Sequence, residues 1–265
     1  MRRKRRKSTQ KERFRKGIYL LPNLFTALNM FCGFYAVIAS INGHFVAAAY
    51  AIVVAGIFDN LDGKIARATR STSKFGVEFD SLADLISFGM APGVMMYLWA
   101  LNPLGRIGWL AAFLFVVCGA LRLARFNAQV GVVGSDYFVG LPIPAGAGVN
   151  AATVLFCHRL GIQDTAHPLF FLILLYLLSF LMVSTIPYYS FKKVEMFRNR
   201  HFNVLVAAIL VLIFIAAQPP IALFIIGIVY MISGPVIGVR HVLRGRHAGA
   251  GTDGSHEKEK RSIPV

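Results

Sequence analysis

The chain has 265 residues and a formal net charge of +16, with 56% hydrophobic and only 15% charged residues. A soluble domain has about 25% charged and about 45–50% apolar residues, so the composition excludes an ordinary soluble protein and predicts one that faces mostly lipid. The positive charge does not indicate nucleic acid, because Lys and Arg lie between hydrophobic stretches and at both ends, without interleaved aromatic residues. Anionic membrane lipids are the favoured partner.

The N-terminal segment, residues 1–19, is strongly basic and is predicted to lie at a cytoplasmic membrane surface. Its last part continues into ERFRKGIYLLPNLFT, which mixes basic and apolar residues and predicts a short amphipathic helix in the interface that ends at Pro22. The apolar stretch that follows is too long for a signal peptide and has no clear cleavage site. We therefore expect it to be the first transmembrane helix.

Eight apolar stretches have about the length that a helix needs to cross the roughly 30 Å of hydrocarbon in a bilayer. Only helices and closed barrels satisfy their backbone groups in lipid, and these stretches have helical length. The sequence therefore predicts an all-α, polytopic transmembrane bundle of about eight helices. The predicted spans are residues 20–42, 44–62, 79–101, 106–124, 140–158, 167–187, 202–217 and 219–239.

The distribution of basic residues predicts the orientation of these helices. With eight spans both chain ends lie on one side, and of the 28 Lys and Arg residues only Arg106 and Arg159 fall on the other. Loops rich in Lys and Arg stay in the cytoplasm. Both termini are therefore expected on the cytoplasmic side of the cell inner membrane.

Four aspartates occupy the ends of two hydrophobic stretches: Asp59 and Asp62 in the second, and Asp80 and Asp84 in the third. The spacings i, i+3 and i, i+4 place each pair on one face of its helix. Carboxylates near a bilayer are costly unless they are paired, and four oxygen donors suit Mg²⁺ or Mn²⁺. We expect two divalent cations, because paired ions about 3.5–4 Å apart are a recurrent device in phosphoryl displacement.

Two other interpretations of the aspartates remain open from the residues alone. The acids would form only a charged rim if they paired with the basic residues between the two helices, or they would line an ion-conducting or proton-coupled path. A conducting path predicts acids near the middle of the bilayer, whereas these lie at helix ends. The basic residues concerned are Lys64, Arg67, Arg70 and Lys74.

Residues 59–84, DNLDGKIARATRSTSKFGVEFDSLAD, fit the pattern DxxDGxxARx8Gx3Dx3D at every fixed position. This pattern resembles the signature of the CDP-alcohol phosphatidyltransferases, which transfer a phosphatidyl or similar group from a CDP-linked lipid to an alcohol and release CMP. The resemblance implies that Asp59, Asp62 and Asp80 bind one metal ion and that Asp59, Asp80 and Asp84 bind a second. It also implies that Asp84 is the general base.

The resemblance extends to the residues that bind the CDP-lipid. It places Gly63 where a side chain would block the cytidine diphosphate, Arg67 on the diphosphate and Ser73 at a further nucleotide contact. The segment LPNLFTALN resembles the family's PNxxT element, in which Asn23 and Thr26 approach the nucleotide. From the residues alone, Asn23 would be a helix cap and Thr26 a helical Thr bonded to its own backbone.

Two further segments, RLARFN at 122–127 and FVGLPIPAGA at 138–147, resemble the family's serine-using branch, the bacterial phosphatidylserine synthases. Arg122 and Arg125 are expected on one helical face, where they would bind serine's carboxylate or a lipid phosphate, and Asn127 would bind the acceptor. Ordinary membrane anchoring is the alternative for the arginines, and an ordinary polar residue at a helix end is the alternative for Asn127. The prolines of LPIP, residues 141–144, predict a re-entrant or kinked wall, and a kink that serves packing is the alternative.

The expected function is transfer of the phosphatidyl group from CDP-diacylglycerol to L-serine, with a homodimer implied by the resemblance. Glycerol 3-phosphate or an inositol phosphate is the alternative acceptor, and a cation transporter or structural membrane protein is the non-enzymatic alternative. The predicted organisation is a basic segment 1–19, a catalytic core 20–190, an additional helix pair 191–241 and a disordered cytoplasmic tail 242–265.

Overall fold

The computed structural model describes residues 2–69, 73–129, 138–162, 167–188 and 201–249, and these parts are almost entirely helical. The segment Lys74–Leu104 is one continuous run that contains α3, a π-helix at Leu85–Met90, α4, a second π-helix at Tyr97–Leu101 and a 3-10 turn at Asn102–Leu104. Counting this run once, the described residues form the eight helices expected from the sequence. The α-helices are α1 (Arg2–Ile41), α2 (Phe45–Thr69), α3 (Lys74–Asp84), α4 (Ala91–Met96), α5 (Arg106–Gln129), α6 (Ile143–Arg159), α7 (Pro168–Val183), α8 (His201–Ala217) and α9 (Pro219–Gly249).

The chain is a multi-pass membrane protein. Five helical segments of the described residues are long and apolar enough to cross a bilayer, and α7 is a shorter apolar helix. Large apolar side chains such as Phe31, Phe180 and Leu212 are more than half exposed on the outside of the bundle. Such a surface would be unstable in water but matches hydrocarbon. The spans are Leu21–Ile41, Phe45–Thr69, Lys74–Leu104, Arg106–Ala128 and Pro219–Gly238.

Small residues allow the helices around the candidate site to approach closely. α1 and α2 form a tight hairpin at Gly43, whose φ of 75° is in the left-handed region. Gly33 of α1 lies directly against Ser87, where an added Cβ would overlap the serine. Close packing through small residues is the usual way in which membrane helices associate. It brings α1, α2 and α3 together at the end where the aspartates lie.

The helix that carries Asp84 changes its winding immediately after that residue. The sequence predicted a regular helix over 79–101, but Leu85–Met90 forms a π-helix and the N–H of Ala91 donates to the carbonyl of Ile86. A π turn accommodates an extra residue and is frequent at functional sites. It changes the angular position of α4 relative to the face that presents Asp80 and Asp84.

The N-terminal helix differs from the expected arrangement. A separate interfacial helix ending at Pro22 was predicted, but α1 is continuous through Pro22. A proline removes one backbone hydrogen bond and tends to kink a helix, yet membrane helices tolerate it. The basic segment is therefore helical and joined directly to the first span.

The segment containing LPIP is not a helix interior, because it joins the short strand Phe138–Val139 to the start of α6. Phe138–Val139 pairs in antiparallel fashion with Pro187–Tyr188, a two-residue bridge that was not predicted from the sequence. Gly140 follows with a φ of 80°, and α6 then begins at Ile143. Pro144 falls in the first turn of α6, where a helix does not need the missing N–H.

The C-terminal part contains the two helices α8 and α9, and α9 packs along α6. α9 extends to Gly249, so the start of the predicted disordered tail, 242–249, is helical. The prediction of disorder for 250–265 falls outside the described residues. Four basic residues that precede α8 in the sequence also lie outside the described residues: Lys192, Lys193, Arg198 and Arg200.

Candidate active site

Three of the four aspartates form one cluster between α2 and α3. One carboxylate oxygen from each of Asp59, Asp62 and Asp80 lies within 4.8 Å of the others. Asp62 is buried and accepts a hydrogen bond of 2.9 Å from the Thr26 hydroxyl of α1. The Oδ1 atom of Asp80 is also buried and has no hydrogen-bond partner. The i, i+3 spacing on α2 and the position of Asp80 on α3 thus bring three of the carboxylates together, as expected.

Asp84 lies one turn beyond Asp80, and its carboxyl group is in hydrogen-bond contact with that of Asp59. The side chain of Asn29 on α1 donates a hydrogen bond of 3.2 Å to Asp84. Asn29 is itself held in place, because the Ser87 hydroxyl donates to its backbone carbonyl at 2.9 Å. Asp84, Asn29 and Ser87 are all buried. The orientation of Asp84 therefore depends on α1 and on the π turn.

A cavity of about 180 Å³ opens beside the carboxylates and is bounded by α1, α2 and α3. Its wall includes all five residues that the family resemblance assigns to CDP-lipid binding. Asp62, Asp80 and Ala66 also line it. The structure thus brings the expected residues together, while their individual contacts with a nucleotide stay predictions. The five residues are Asn23, Thr26, Gly63, Arg67 and Ser73.

The small residues of the motif control how much of this cavity is open. A Cβ atom added at Gly63 would lie 3.4 Å from Nη1 of Arg67, so any larger side chain would extend beside the guanidinium. A Cβ at Gly76 would lie 3.2 Å from the Ser73 oxygen and 3.5 Å from Oδ1 of Asn23. Ser73 is the N-cap of α3 and accepts the Gly76 N–H at 3.0 Å.

The nearby cations do not balance the aspartates. Arg67 acts electrostatically on Asp62, and Arg122 acts on Asp84. The side chains of Lys64 and Lys74 are exposed, and Arg70 is outside the described residues. Among the described residues, two arginines against four carboxylates leave an excess of negative charge in a largely buried group. This arrangement favours bound cations over the charged-rim interpretation.

The carboxylate geometry fits hard divalent cations. Two oxygens on one Mg²⁺ are at most about 4.2 Å apart, given Mg–O distances of about 2.1 Å, so the observed cluster needs only small side-chain adjustments. Two further observations favour bound cations: the unpartnered Oδ1 of Asp80 and the contact between the carboxyl groups of Asp59 and Asp84. Two carboxyl groups in contact require a shared proton or a cation.

The three residues expected to bind the acceptor have different environments. Arg122 is buried near Asp84, and its Nε has no hydrogen-bond partner. Arg125 is exposed and donates at 3.2 Å to the carbonyl of Val183, at the C-terminus of α7. Asn127 donates at 2.9 Å to the Ser81 hydroxyl and so links α5 to α3. Although their spacing predicted a shared face, Arg122 is buried near Asp84 whereas Arg125 is exposed and bonds to α7.

Sequence reasoning missed several polar residues that support the site. Asn29 donates to Asp84 and Ser87 donates to Asn29, while Tyr230 of α9 lies near Arg122. The signal for Asn29 was present, because Thr26 and Asn29 are polar residues three apart in an apolar helix and so share a face. The other two depend on contacts between segments far apart in the chain, which local spacing does not show.

The fold and site define a polytopic membrane protein with a cluster of carboxylates that could hold a metal ion beside a cavity, an arrangement suited to metal-assisted phosphoryl transfer. Residues 19–239 match the family described as CDP-alcohol phosphatidyltransferase, and the chain belongs to this family of transferases. The match extends beyond residue 190 through α8 and into α9.

Curated relatives cover much of the chain. It is 42% identical over 207 residues to the CDP-diacylglycerol–serine O-phosphatidyltransferase of Helicobacter pylori, covering 78% of this chain and 86% of the relative. It is 39% identical over 170 residues to the archaetidylserine synthase of Methanothermobacter thermautotrophicus, covering 63% and 69% respectively. The serine O-phosphatidyltransferase of Methanocaldococcus jannaschii is 36% identical over 173 residues, covering 65% and 75%.

Proposed function

We propose that the chain is a phosphatidylserine synthase, which transfers the phosphatidyl group from CDP-diacylglycerol to the hydroxyl of L-serine and releases CMP. The observation that carries this proposal is the cluster of Asp59, Asp62 and Asp80 at the edge of a cavity that also contains Arg67. Serine as the acceptor is supported by the names of the relatives in bacteria and archaea. It is supported further by the buried Arg122 beside Asp84.

Asp59, Asp62 and Asp80 would hold one divalent cation, Mg²⁺ or Mn²⁺, and Asp59, Asp80 and Asp84 a second. Bound there, such ions would offset the charge of the diphosphate and of the departing CMP. The protein itself contributes Thr26, which fixes the orientation of Asp62 through its 2.9 Å hydrogen bond. Arg67 lies on the wall of the cavity, where a guanidinium suits phosphate oxygens.

Asp84 is the proposed general base. It takes the proton from the serine hydroxyl while that oxygen attacks the phosphorus carrying diacylglycerol, and the bond from phosphorus to the CMP oxygen breaks. Asn29 keeps Asp84 in position through the 3.2 Å hydrogen bond. Direct displacement requires no covalent enzyme intermediate. The proton remains on Asp84 until it is exchanged with solvent after the product leaves.

Arg122 is the proposed partner of the serine carboxylate. A buried guanidinium with an unpartnered Nε is a strong donor for an anion, and its proximity to Asp84 would bring the substrate hydroxyl near the base. Arg125 and Asn127 already bond to Val183 and Ser81. They are therefore proposed to hold α5 against α7 and α3, which supports Arg122 indirectly.

The membrane arrangement and assembly are also proposed. The positive-inside distribution of Lys and Arg supports an inner membrane location with both termini and the active site in the cytoplasm. The basic residues before Leu21 would bind anionic lipids. A homodimer follows from the family resemblance, and the exposed apolar faces of the bundle would accommodate such contacts.

CMP release by the purified protein in detergent tests the function. The assay supplies CDP-diacylglycerol with Mn²⁺ or Mg²⁺ and compares L-serine, glycerol 3-phosphate, myo-inositol phosphate and no acceptor. We expect release that depends on serine and stops when the cations are chelated. Release with only another acceptor would refute serine specificity, and the absence of release with every acceptor would refute the enzymatic proposal.

A further inference from the structure

A larger cavity lies at the end of the bundle opposite the aspartates. It has a volume of about 630 Å³ and is bounded by the end of α6, the first turn of α7 and Phe224 of α9. Trp99 marks this end, because it lies near the end of the run Lys74–Leu104 that is away from Asp80. Its ring packs on that of Phe171, a residue of the cavity wall, at a centroid distance of 4.7 Å. The cavity is therefore separate from the candidate active site.

The wall of this cavity is mostly apolar and aromatic. Phe156 of α6 and Phe224 of α9 stack with their centroids 4.3 Å apart and their planes at 5°, which fixes two sides of the cavity. The Thr153 hydroxyl donates at 2.7 Å to the carbonyl of Val149 in its own helix, so this proton is not available to a ligand. Such a wall does not suit a nucleotide or a sugar, because their polar groups would lose hydrogen bonds with water.

The cavity opens on the lipid-facing surface of the bundle. Leu169 and Phe170, which belong to its wall, are 63% and 57% exposed. It extends inward to Thr153, which is about 9 Å along α6 from Arg159 at about 1.5 Å per residue. Water does not fill an apolar cavity, and the wall of an empty one loses dispersion contacts. In a bilayer, the group that can fill it is a lipid acyl chain.

Basic groups lie where the cavity meets the end of the bundle. Arg159 is the last residue of α6, stands in the sequence between the wall residues Cys157 and Ile162, and is exposed. His167, which precedes α7, belongs to the wall itself. Arg159 and Arg106 are the two basic residues predicted on this side of the membrane. An anionic lipid headgroup complements such a cation.

We propose that this cavity binds one acyl chain of an anionic phospholipid, whose headgroup lies at Arg159 and His167. A chain that leaves the bilayer for an apolar cavity gains little hydrophobic energy, because both surroundings are apolar. Filling the cavity restores dispersion contacts for any chain, so selection of one lipid has to come from its headgroup. The site lies outside the proposed catalytic machinery and does not depend on which alcohol is the acceptor.

Quenching of Trp99 fluorescence by brominated lipids tests the site. The chain has two tryptophans, and Trp109, which is 47% exposed, is replaced with Phe in every variant. Trp99 is only 7% exposed and contacts the cavity wall at Phe171. The full chain is reconstituted into phosphatidylcholine vesicles with a minor fraction of lipid brominated on its acyl chains, either phosphatidylglycerol or phosphatidylcholine. We expect phosphatidylglycerol to quench Trp99 with about fivefold higher apparent affinity, as one basic residue at a membrane surface implies.

Substitutions of the two basic residues on this side test the headgroup contact. Arg159→Gln should remove the preference for phosphatidylglycerol, and Arg159→Lys should keep it. The control is Arg106→Gln, also at an exposed position, which should leave the preference unchanged. Equal quenching by the two lipids, a preference that survives Arg159→Gln, or one that Arg106→Gln lowers equally would overturn the proposal. Absence of quenching by both lipids would also overturn it, because another occupant such as a second copy of the chain would then cover the cavity.

A cavity-filling substitution tests whether the quenching lipid lies inside the cavity. Cys157 belongs to the wall and is 6% exposed, so the ring of Cys157→Phe would occupy part of the cavity. We expect this variant to lose most of the quenching by both lipids. Ile162→Phe, at a position that is 38% exposed, gives the same comparison if Cys157→Phe does not fold. Unchanged quenching would place the lipid outside the cavity and overturn the proposal.

Discussion

Replacing Asn29 tests whether the orientation of Asp84 limits catalysis. Asn29→Leu keeps a similar volume but removes the donor that lies 3.2 Å from the Asp84 carboxylate. A hydrogen bond to a charged group contributes about 1.5–3 kcal/mol. If this energy is lost from the transition state, kcat should fall about 10- to 100-fold.

The structure also predicts what Asn29→Leu should leave unchanged. Asn29 does not line the cavity between α1, α2 and α3, so the KM for CDP-diacylglycerol should stay within about twofold of wild type. Its Oδ1 is buried without a partner, so exchanging the amide for an apolar group also removes an unsatisfied atom. Asp84, however, loses a donor inside the protein, so the apparent melting temperature should fall by about 3–8 °C. Rates measured well below that temperature would show a loss of activity that does not come from unfolding.

The assay for Asn29→Leu is the initial rate of CMP release at saturating serine and CDP-diacylglycerol, with an apparent melting temperature on the same preparation. The control is Asn102→Leu, because Asn102 is exposed in the 3-10 turn at the other end of the helical run from Asp80. A kcat of Asn29→Leu within twofold of wild type would refute the idea that Asn29 positions the base.

Three further substitutions test other parts of the site. Asp84→Asn should lower kcat at least about 100-fold while CDP-lipid binding persists, because general-base catalysis contributes about 10²–10⁴-fold. Normal turnover in this variant would show that Asp84 is not the base. Gly63→Val should raise the KM for CDP-diacylglycerol about tenfold, because the valine side chain fills the cavity beside the Arg67 guanidinium. The matched control is Gly148→Val, since an added Cβ at Gly148 meets nothing within 4 Å. Tyr188→Phe removes the hydroxyl that donates at 3.1 Å to the buried Met231 carbonyl of α9, and it should lower the apparent melting temperature by about 3–8 °C. An unchanged melting temperature would mean that this hydrogen bond does not stabilise α9.

The helices and the carboxylate cluster were predictable because both follow from local periodicity. Apolar stretches of bilayer length predict membrane helices directly. The spacing of Asp59 with Asp62, and of Asp80 with Asp84, placed each pair on one helical face. Only the proximity of these two helical faces, one on α2 and one on α3, had to come from the tertiary structure. The two helices are close in the sequence, which favours their contact.

Other features depend on contacts that spacing does not reveal. The π turn after Asp84 arises where Gly33 lets α1 approach Ser87, a contact between separate helices. Arg122 and Arg125 share a face by spacing, but one is buried near the carboxylates and the other bonds to α7. Long side chains can diverge from a shared face, so helical spacing predicts the direction of the Cβ atom better than the position of a guanidinium.

The central claim is tested most directly by incubating the purified protein with CDP-diacylglycerol, a divalent cation and isotopically labelled L-serine, and then identifying the lipid product by mass spectrometry. The proposed function predicts phosphatidylserine whose headgroup carries the label, formed in equal amount to the released CMP and absent from Asp84→Asn. CMP release without label in the lipid fraction would contradict it, because the phosphatidyl group would then have passed to another acceptor.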